Sequence, residues 1–494
     1  MATIRHPTQA APKINLIRVP GDYATPQDAI DNASDGDCIF LASQTFEIDG
    51  PMRIAKPIHL MGENEMGERA TIVFNGKSLK PAVPLLRIAS SCRVQGVNFV
   101  LKCDETAPQS AKATEYALSI TAGDFLMSDC GVTTECGGIF VANGSYTSLS
   151  AVSVEAKFVG VDVRGKVYMD RCHVKSCIAG IRVATLCSCT AERCVIDKCT
   201  IGVDIGKHSS TVVKASTITG CVTGVSAEDD TPSPKPPEIR GNSISNCVSG
   251  VYTTGEGCTC DISKNLVSHC SEAGICIDGG LSFVNSNAVS NCPLAGIDVR
   301  EGRPQVSCNV IDDCAKNGIL VAGVKSSPIV LSNEIARCKG AGILVVDGAA
   351  PRVETNVMSE NEINISIDGA LGLYKRNELL VSHQESVIVR HAEANIVFEE
   401  NEVMGSVMSC GVCITDNAHA IVAGNMFAGT KLTAIVLRGC GATDVHDNEM
   451  DPATCQAGAV VAQKGAVARI HNNNTNGLEV TVFSDSTEST TTDQ

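Results

Sequence analysis

Asn287-Ala288-Val289-Ser290-Asn291-Cys292-Pro293-Leu294-Ala295-Gly296-Ile297-Asp298-Val299 is followed, 22 residues on, by Asn309-Val310-Ile311-Asp312-Asp313-Cys314-Ala315-Lys316-Asn317-Gly318-Ile319-Leu320-Val321. Both carry the pattern N-x-I/V-x-x-C, then Gly, then a short apolar alternation. Working outward, Cys177, Cys199, Cys221, Cys247, Cys270, Cys292, Cys314 and Cys338 recur at intervals of 22, 22, 26, 23, 22, 22 and 24 residues. Five residues upstream lie Cys172, Cys194, Ser216, Asn242, Asn265, Asn287, Asn309 and Asn333. Self-similarity at a fixed period marks one supersecondary unit stacked many times on a shared core. The period is too short for two helices. Apolar alternation over 3–5 residues, broken by Gly, Asn or Ser, predicts short strands joined by tight turns. Equivalent strands of successive coils then pair in parallel. The expected fold is all-β: a right-handed parallel β-helix, a solenoid of about 22-residue coils with a short N-terminal capping helix.

Asn suits such a corner because it tolerates left-handed backbone and bonds to its own turn. Stacked on itself, it can also bond to the coils above and below. The Gly is expected to relieve the next corner. The cysteines read as small apolar side chains lining the interior, so all eight should be buried, stacked and reduced.

Bulk properties narrow the function. The chain has 494 residues, a net charge of -16, 3% aromatic residues and no Trp. No Lys/Arg cluster is present to neutralise phosphates, so nucleic acid is not an expected partner. No run approaches about 18 consecutive apolar residues, so membrane insertion is not expected. Met1 to Gly21 shows no apolar run behind basic residues, so no secretory signal is expected. These readings place the protein in the cytoplasm, with cytoskeletal association as an option. No cofactor is expected.

Four segments are expected along the chain: 1–50 as leader and cap, 51–127 as irregular first coils, 128–480 as regular β-helix, and 481–494 as a disordered Ser/Thr-rich tail. An entry strand is expected over Ile14 to Val19. Thr25, Pro26 and Asp28 read as the start of a short helix, with Thr25 capping and Pro26 in the first turn. A longer coil after Cys221 carries a charged, proline-rich excursion over 227–240, and loops on rigid scaffolds often carry recognition.

Two stretches carry a family resemblance. Val19-Pro20-Gly21-Asp22-Tyr23-Ala24-Thr25-Pro26-Gln27-Asp28-Ala29-Ile30 through Lys56-Pro57-Ile58-His59-Leu60-Met61-Gly62-Glu63 resembles the opening of many β-helix proteins, pectin methylesterases among them. The coils are similar to the β-helix regions of F-box substrate receptors, SHC SH2-domain-binding proteins and periplasmic copper-maturation proteins. The resemblance covers about residues 15–475. No F-box helix set precedes the coils, so a ubiquitin-ligase role is not carried over, and the catalytic motifs of pectin esterases and polygalacturonases are not found.

Chemistry is sought on the outward position x of G-I-x-V, which reads Asp162, Arg182, Asp204, Ser226, Thr253, Cys276, Asp298, Leu320, Leu344 and Ser366. Asp162, Arg182 and Asp204 suggest a surface salt-bridge ladder. No catalytic residue is expected; Asp278, Asp298 and Arg300 form the better candidate cluster, with Asp278 expected to stack below Arg300 and a salt-bridged patch as the default reading. Glu334, Glu378, Glu402 and Glu449 form an acidic column after the Asn position. With Glu228, Asp229, Asp230 and Lys235 of the excursion, they are the candidate contacts for a partner. Cys187, Cys189, Cys194 and Cys199 lack the paired C-x2-C spacing of a zinc site, so no metal is expected.

The leading functional expectation is a non-catalytic scaffold that binds protein partners, of identity not legible in the sequence, through its outward faces and the 227–240 loop. One alternative is a carbohydrate-active β-helix enzyme (lyase, hydrolase or esterase-like) or a sugar-binding module, disfavoured because sugar grooves want flat aromatic platforms. A second is a structural component of a cytoskeletal assembly.

Overall fold

The computed structural model describes residues 14–62, 68–75, 84–102, 109–453, 455 and 457–483. The expected leader before residue 14 and most of the Ser/Thr-rich tail lie outside the described residues. Two compact units divide the chain, 1–199 and 200–494.

In the first unit the chain enters through the strand Leu16–Val19. The helix Pro26–Asn32 follows, with Thr25 as its N-cap. The Thr25 hydroxyl accepts from the Asp28 backbone N–H at 3.2 Å, satisfying one of the donors a helix start leaves open. Coils of three short strands then repeat. One coil comprises Val159–Val163, Lys166–Asp170 and His173–Lys175, which we assign to sheets I, II and III. Each strand pairs in parallel with its equivalent in the next coil, in the registers Val161 with Ile181, Tyr168 with Thr190, and Val174 with Ile196. The segment expected to cap is itself part of this system, since Leu16 pairs with Cys38 and Cys38 with His59.

The second unit repeats the scheme. Ala273–Asp278, Phe283–Asn285 and Ala288–Ser290 are its sheet I, II and III strands in one coil. Inward positions build the core: Ile275, Ile297, Ile319 and Ile343 follow one another in register, all with no exposure. Burial of each such side chain contributes about 1.5–3 kcal/mol, and the period-two alternation supplies one or two per strand.

The corner between sheets II and III explains the Asn repeat. From Asn242 to Asn448 the ladder is buried, and each side chain spans two coils. Asn309 shows the scheme. Its Nδ2 donates to Asn333 Oδ1 at 2.9 Å and to the Val284 carbonyl at 3.0 Å. Its Oδ1 accepts from the backbone N and the Nδ2 of Asn287, both at 2.9 Å. The left-handed residue of this corner is the one before the Asn, such as Lys264 (φ 56°), Ser286 (φ 56°) and Cys308 (φ 55°). Asn was therefore rightly placed at the corner, but its side-chain donors and acceptor, rather than its backbone tolerance, make it useful there.

The Gly role also differs from expectation. Gly274 does not adopt a left-handed φ, and a Cβ there would meet Val289 Cγ1 at 2.5 Å and the Gly296 carbonyl oxygen at 2.7 Å. Lack of space, not backbone conformation, keeps this position free of a side chain. The left-handed residue of the III-to-I corner again sits just before the repeated position, as at His269, Asn291 and Asp313 before Cys270, Cys292 and Cys314. All eight repeat cysteines are buried, and none of them is in a disulfide.

Candidate functional site

The outward face of sheet I in the second unit brings together the acidic cluster singled out in the sequence. Ser226, Tyr252, Cys276, Asp298 and Leu320 occupy one column in direct register. Thr253, expected outward, is instead fully buried, and Tyr252 takes the outward place. Gly250-Val251-Tyr252-Thr253 fits G-I-x-V with Tyr252 as x, so the motif itself contains the signal. A second column runs Glu228, Thr254 and Asp278.

Asp278 does not stack below Arg300. The register shifts after Ile277, which faces Val299, so that Asp278 faces Glu301 and Arg300 is the extra residue. An inserted residue of this kind re-aims its side chain. Arg300 turns to its own strand neighbour, and its Nε donates to Asp298 Oδ2 at 2.9 Å. Cys276 Sγ lies 3.9 Å from the same oxygen. Tyr252 donates its hydroxyl to Asp278 Oδ2 at 2.9 Å.

Asp298 is the unusual member. It is 6% exposed, and its Oδ1 is buried with no hydrogen-bond partner. Burial pushes its pKa above the ordinary range, and the repulsion of Asp278 and Glu272 adds to the rise despite the hydrogen bond and charge of Arg300. The Cys276 thiol is pushed up to about 12, mainly by burial and then by Asp298. The Tyr252 hydroxyl is also raised, by burial and by its bond to Asp278. A buried carboxyl with its pKa raised, beside a guanidinium and with a Tyr–Asp pair on the same face, is chemically able to transfer protons next to an anionic group.

The remaining residues are placed differently. Glu228 and Asp230 both hold Lys207, at 3.1 and 2.5 Å. Asp229 is buried and accepts the backbone N–H groups of His208 at 3.0 Å and Thr231 at 3.3 Å. These acids fasten the excursion to its own unit. Lys235 lies within the excursion, its backbone bonded to Ser233 Oγ. Glu334, Glu378, Glu402 and Glu449 do form one exposed column on sheet III, interrupted by Val357 and Met426.

In the first unit, Asp162 accepts from the Tyr116 hydroxyl at 2.5 Å and pairs with Arg164 at 3.4 Å. Its register partner is Arg182. Of the four clustered cysteines, Cys189, Cys194 and Cys199 are buried, whereas Cys187 is half-buried. Among the described residues no group of three or more His, Cys, Asp or Glu side chains is arranged to hold a metal ion. No helix among them is long and apolar enough to cross a membrane.

Comparison with known proteins adds four findings. A periplasmic copper-binding protein family model matches residues 352–492. That match contradicts the cytoplasmic expectation, which is withdrawn.

No curated protein matches the chain. Solved structures with similar folds include the Dettilon tailspike protein, with 13% identity over 81% of this chain and 68% of that one at a TM-score of 0.33. A PL6 family alginate lyase shows 11% identity over 93% and 99% of the two chains, at a TM-score of 0.28. The pectin methylesterase of Aspergillus niger shows 14% over 52% and 85%, at 0.30. Likeness at this level concerns the fold and carries no chemistry. The resemblance read from the coils is met by the fold as a whole, not by its narrower F-box or SHC-binding groups. The model described as the right handed beta helix region matches residues 116–282 and 249–403, over half of the chain, and the chain therefore belongs to the right-handed β-helix family.

Proposed function

We propose that the second unit is a carbohydrate-active site working on an acidic polysaccharide. Asp298 transfers the proton, Arg300 pairs with a substrate carboxylate, and the Tyr252–Asp278 pair completes the polar face. The observation that carries this reading is the buried Asp298, with its raised pKa and its unpartnered oxygen. A structural salt bridge ordinarily lowers a carboxyl's pKa, whereas a proton-transfer group needs it raised towards the working pH. The scaffold reading loses support because the acids expected to meet a partner, Glu228, Asp229 and Asp230, are already bonded within their own unit.

The test is incubation of the full chain with polygalacturonate, alginate and a neutral glucan, following new reducing ends and unsaturated uronate. One acidic polymer should be cut, and Asp298→Asn should lower the rate at least about a hundredfold, the usual scale for a general acid or base. Failure to cut either acidic polymer, or an unchanged rate in Asp298→Asn, would sink the proposal.

A further inference from the structure

A cleft of about 490 Å³ opens in the first unit at the corner between sheets I and II, within the size range of small-ligand sites. Its walls include Tyr146, Arg164, Lys166, Leu186 and Ser188. None of these was singled out in the sequence, because they come from three successive coils. Tyr146, Lys166 and Ser188 are brought into one column by direct parallel register at the start of sheet II. Arg164 precedes that column at the corner. Gly165, between the two cations, has no room for a side chain: a Cβ there would lie 2.5 Å from the carbonyl oxygens of Ala142 and Ser145. The chain can turn into the cleft only with this residue bare.

Three features make the cleft more than a gap between coils. The first is charge. The Arg164 side chain is 57% exposed and is held at 5.2 Å over the Phe140 ring. Its partner Asp162 is also bonded to Tyr116, so that carboxylate is shared. Lys166 has no ion-pair partner among the described residues. The nearest acid in its column is Asp124, on the far side of Tyr146. In a chain of net charge -16, two cations meeting in a concave site stand out.

The second feature is shape. The Tyr146 ring is 42% exposed beside Lys166, offering a flat apolar face with a polar tip. The third is an apolar rim. Leu186 is 78% exposed. Its left-handed φ of 63° is set by the turn, since Gly144 (φ 80°) and His208 (φ 54°) hold the same place in neighbouring coils, and it displays the side chain at the rim of the cleft.

We infer that this cleft binds a uronate unit of an acidic oligosaccharide. Tyr146 and Leu186 receive its apolar ring face, and Lys166 and Arg164 receive its carboxylate. A free inorganic anion would use the cations but gain nothing from Tyr146 or Leu186. The inference stands on the first unit alone and does not depend on chemistry at Asp298.

The test is calorimetric titration of the full chain in an Asp298→Asn background with an oligogalacturonate, an oligomannuronate, a neutral oligosaccharide of equal length and inorganic phosphate. An acidic oligosaccharide should bind, and the neutral one should not. Lys166→Ala and Tyr146→Ala should each weaken binding by about tenfold, the scale of one lost charged or stacking contact. Lys166→Glu, an exposed substitution, should abolish it while the melting temperature stays that of the parent. Absence of binding by both acidic oligosaccharides would overturn the inference, as would binding insensitive to Lys166→Ala. Phosphate binding as tight as that of the oligosaccharide, unaffected by Tyr146→Ala, would reduce the site to a plain anion site and also overturn it. Because Asp298 is absent throughout, failure here is separable from failure of the catalytic proposal.

Discussion

Replacement of Asn309 by Ala tests the physical basis of the corner. Asn309 has no exposure, and both of its side-chain polar atoms are used twice. Its loss leaves two donors of Asn287 without a partner, the backbone N–H and one Nδ2 hydrogen. It also removes a donor from the Val284 carbonyl. Asn333 Oδ1 keeps one bond, from the Asn309 backbone N–H at 3.0 Å. At about 1–3 kcal/mol for each buried donor left unmatched, the expected cost is about 2–5 kcal/mol.

Asn473 is the matched control. It accepts the same pair of bonds from Asn448, at 3.1 and 2.9 Å, but is half-buried. Water can replace its partners there, so Asn473→Ala should cost about 1 kcal/mol or less. Urea titration followed by circular dichroism reads the difference, and amide exchange at Asn287 localises it. Exchange is needed because stacked coils can lose stability locally before the whole unfolds. Equal costs for the two variants, or less than about 0.5 kcal/mol for Asn309→Ala, would show that the ladder is not what holds the corner.

Three further outcomes are expected. Alkylation of the native chain should label Cys308 first, then Cys38 and Cys187, and leave the repeat cysteines unmodified until unfolding. Cys292 and Cys314 are pushed up to about 12 through hydrogen bonding to the preceding thiol and through burial. With so little thiolate present near neutral pH, prompt labelling of either would contradict this. Asp298→Asn should raise the melting temperature at neutral pH. The folded carboxyl's pKa is raised, so its stabilising contribution is complete below the unfolded value of about 4 and is lost as pH rises through the folded value. The variant's advantage should therefore vanish in acid, and an advantage confined to acid would reverse the reasoning. Glu378 and Glu402 face each other in direct register. Glu402→Lys should stabilise by about 0.2–1 kcal/mol at low salt and less at high salt, and a lower melting temperature at low salt would argue against repulsion there.

Particular residues show what was legible and why. Asn287, Cys292 and Gly296 were readable because each does the same job in every coil, and repetition turns a weak local preference into a pattern. Thr25 and Pro26 were readable because helix capping is local. The site was legible only in its members. Asp278, Asp298 and Arg300 could be listed, but the extra residue at Arg300 reversed their expected stacking, and no local signal marks a one-residue slip against a strand in the neighbouring coil. The bond from Tyr252 to Asp278 spans 26 residues, and that from Tyr116 to Asp162 spans 46. The acids of the excursion looked free because Lys207, one coil earlier, carries no motif.

By itself, then, the sequence determined the coil, its corners and its apolar lining, since these depend on period and on residue chemistry repeated in place. The tertiary structure alone decided which outward side chains meet, which acids are already paired, and that Asp298 is withdrawn from water while Lys166 has no ion-pair partner among the described residues. The physical reason is that burial and pairing on the outer faces depend on register between residues about one coil apart. A single residue of slip there changes every neighbour while leaving the repeat itself intact.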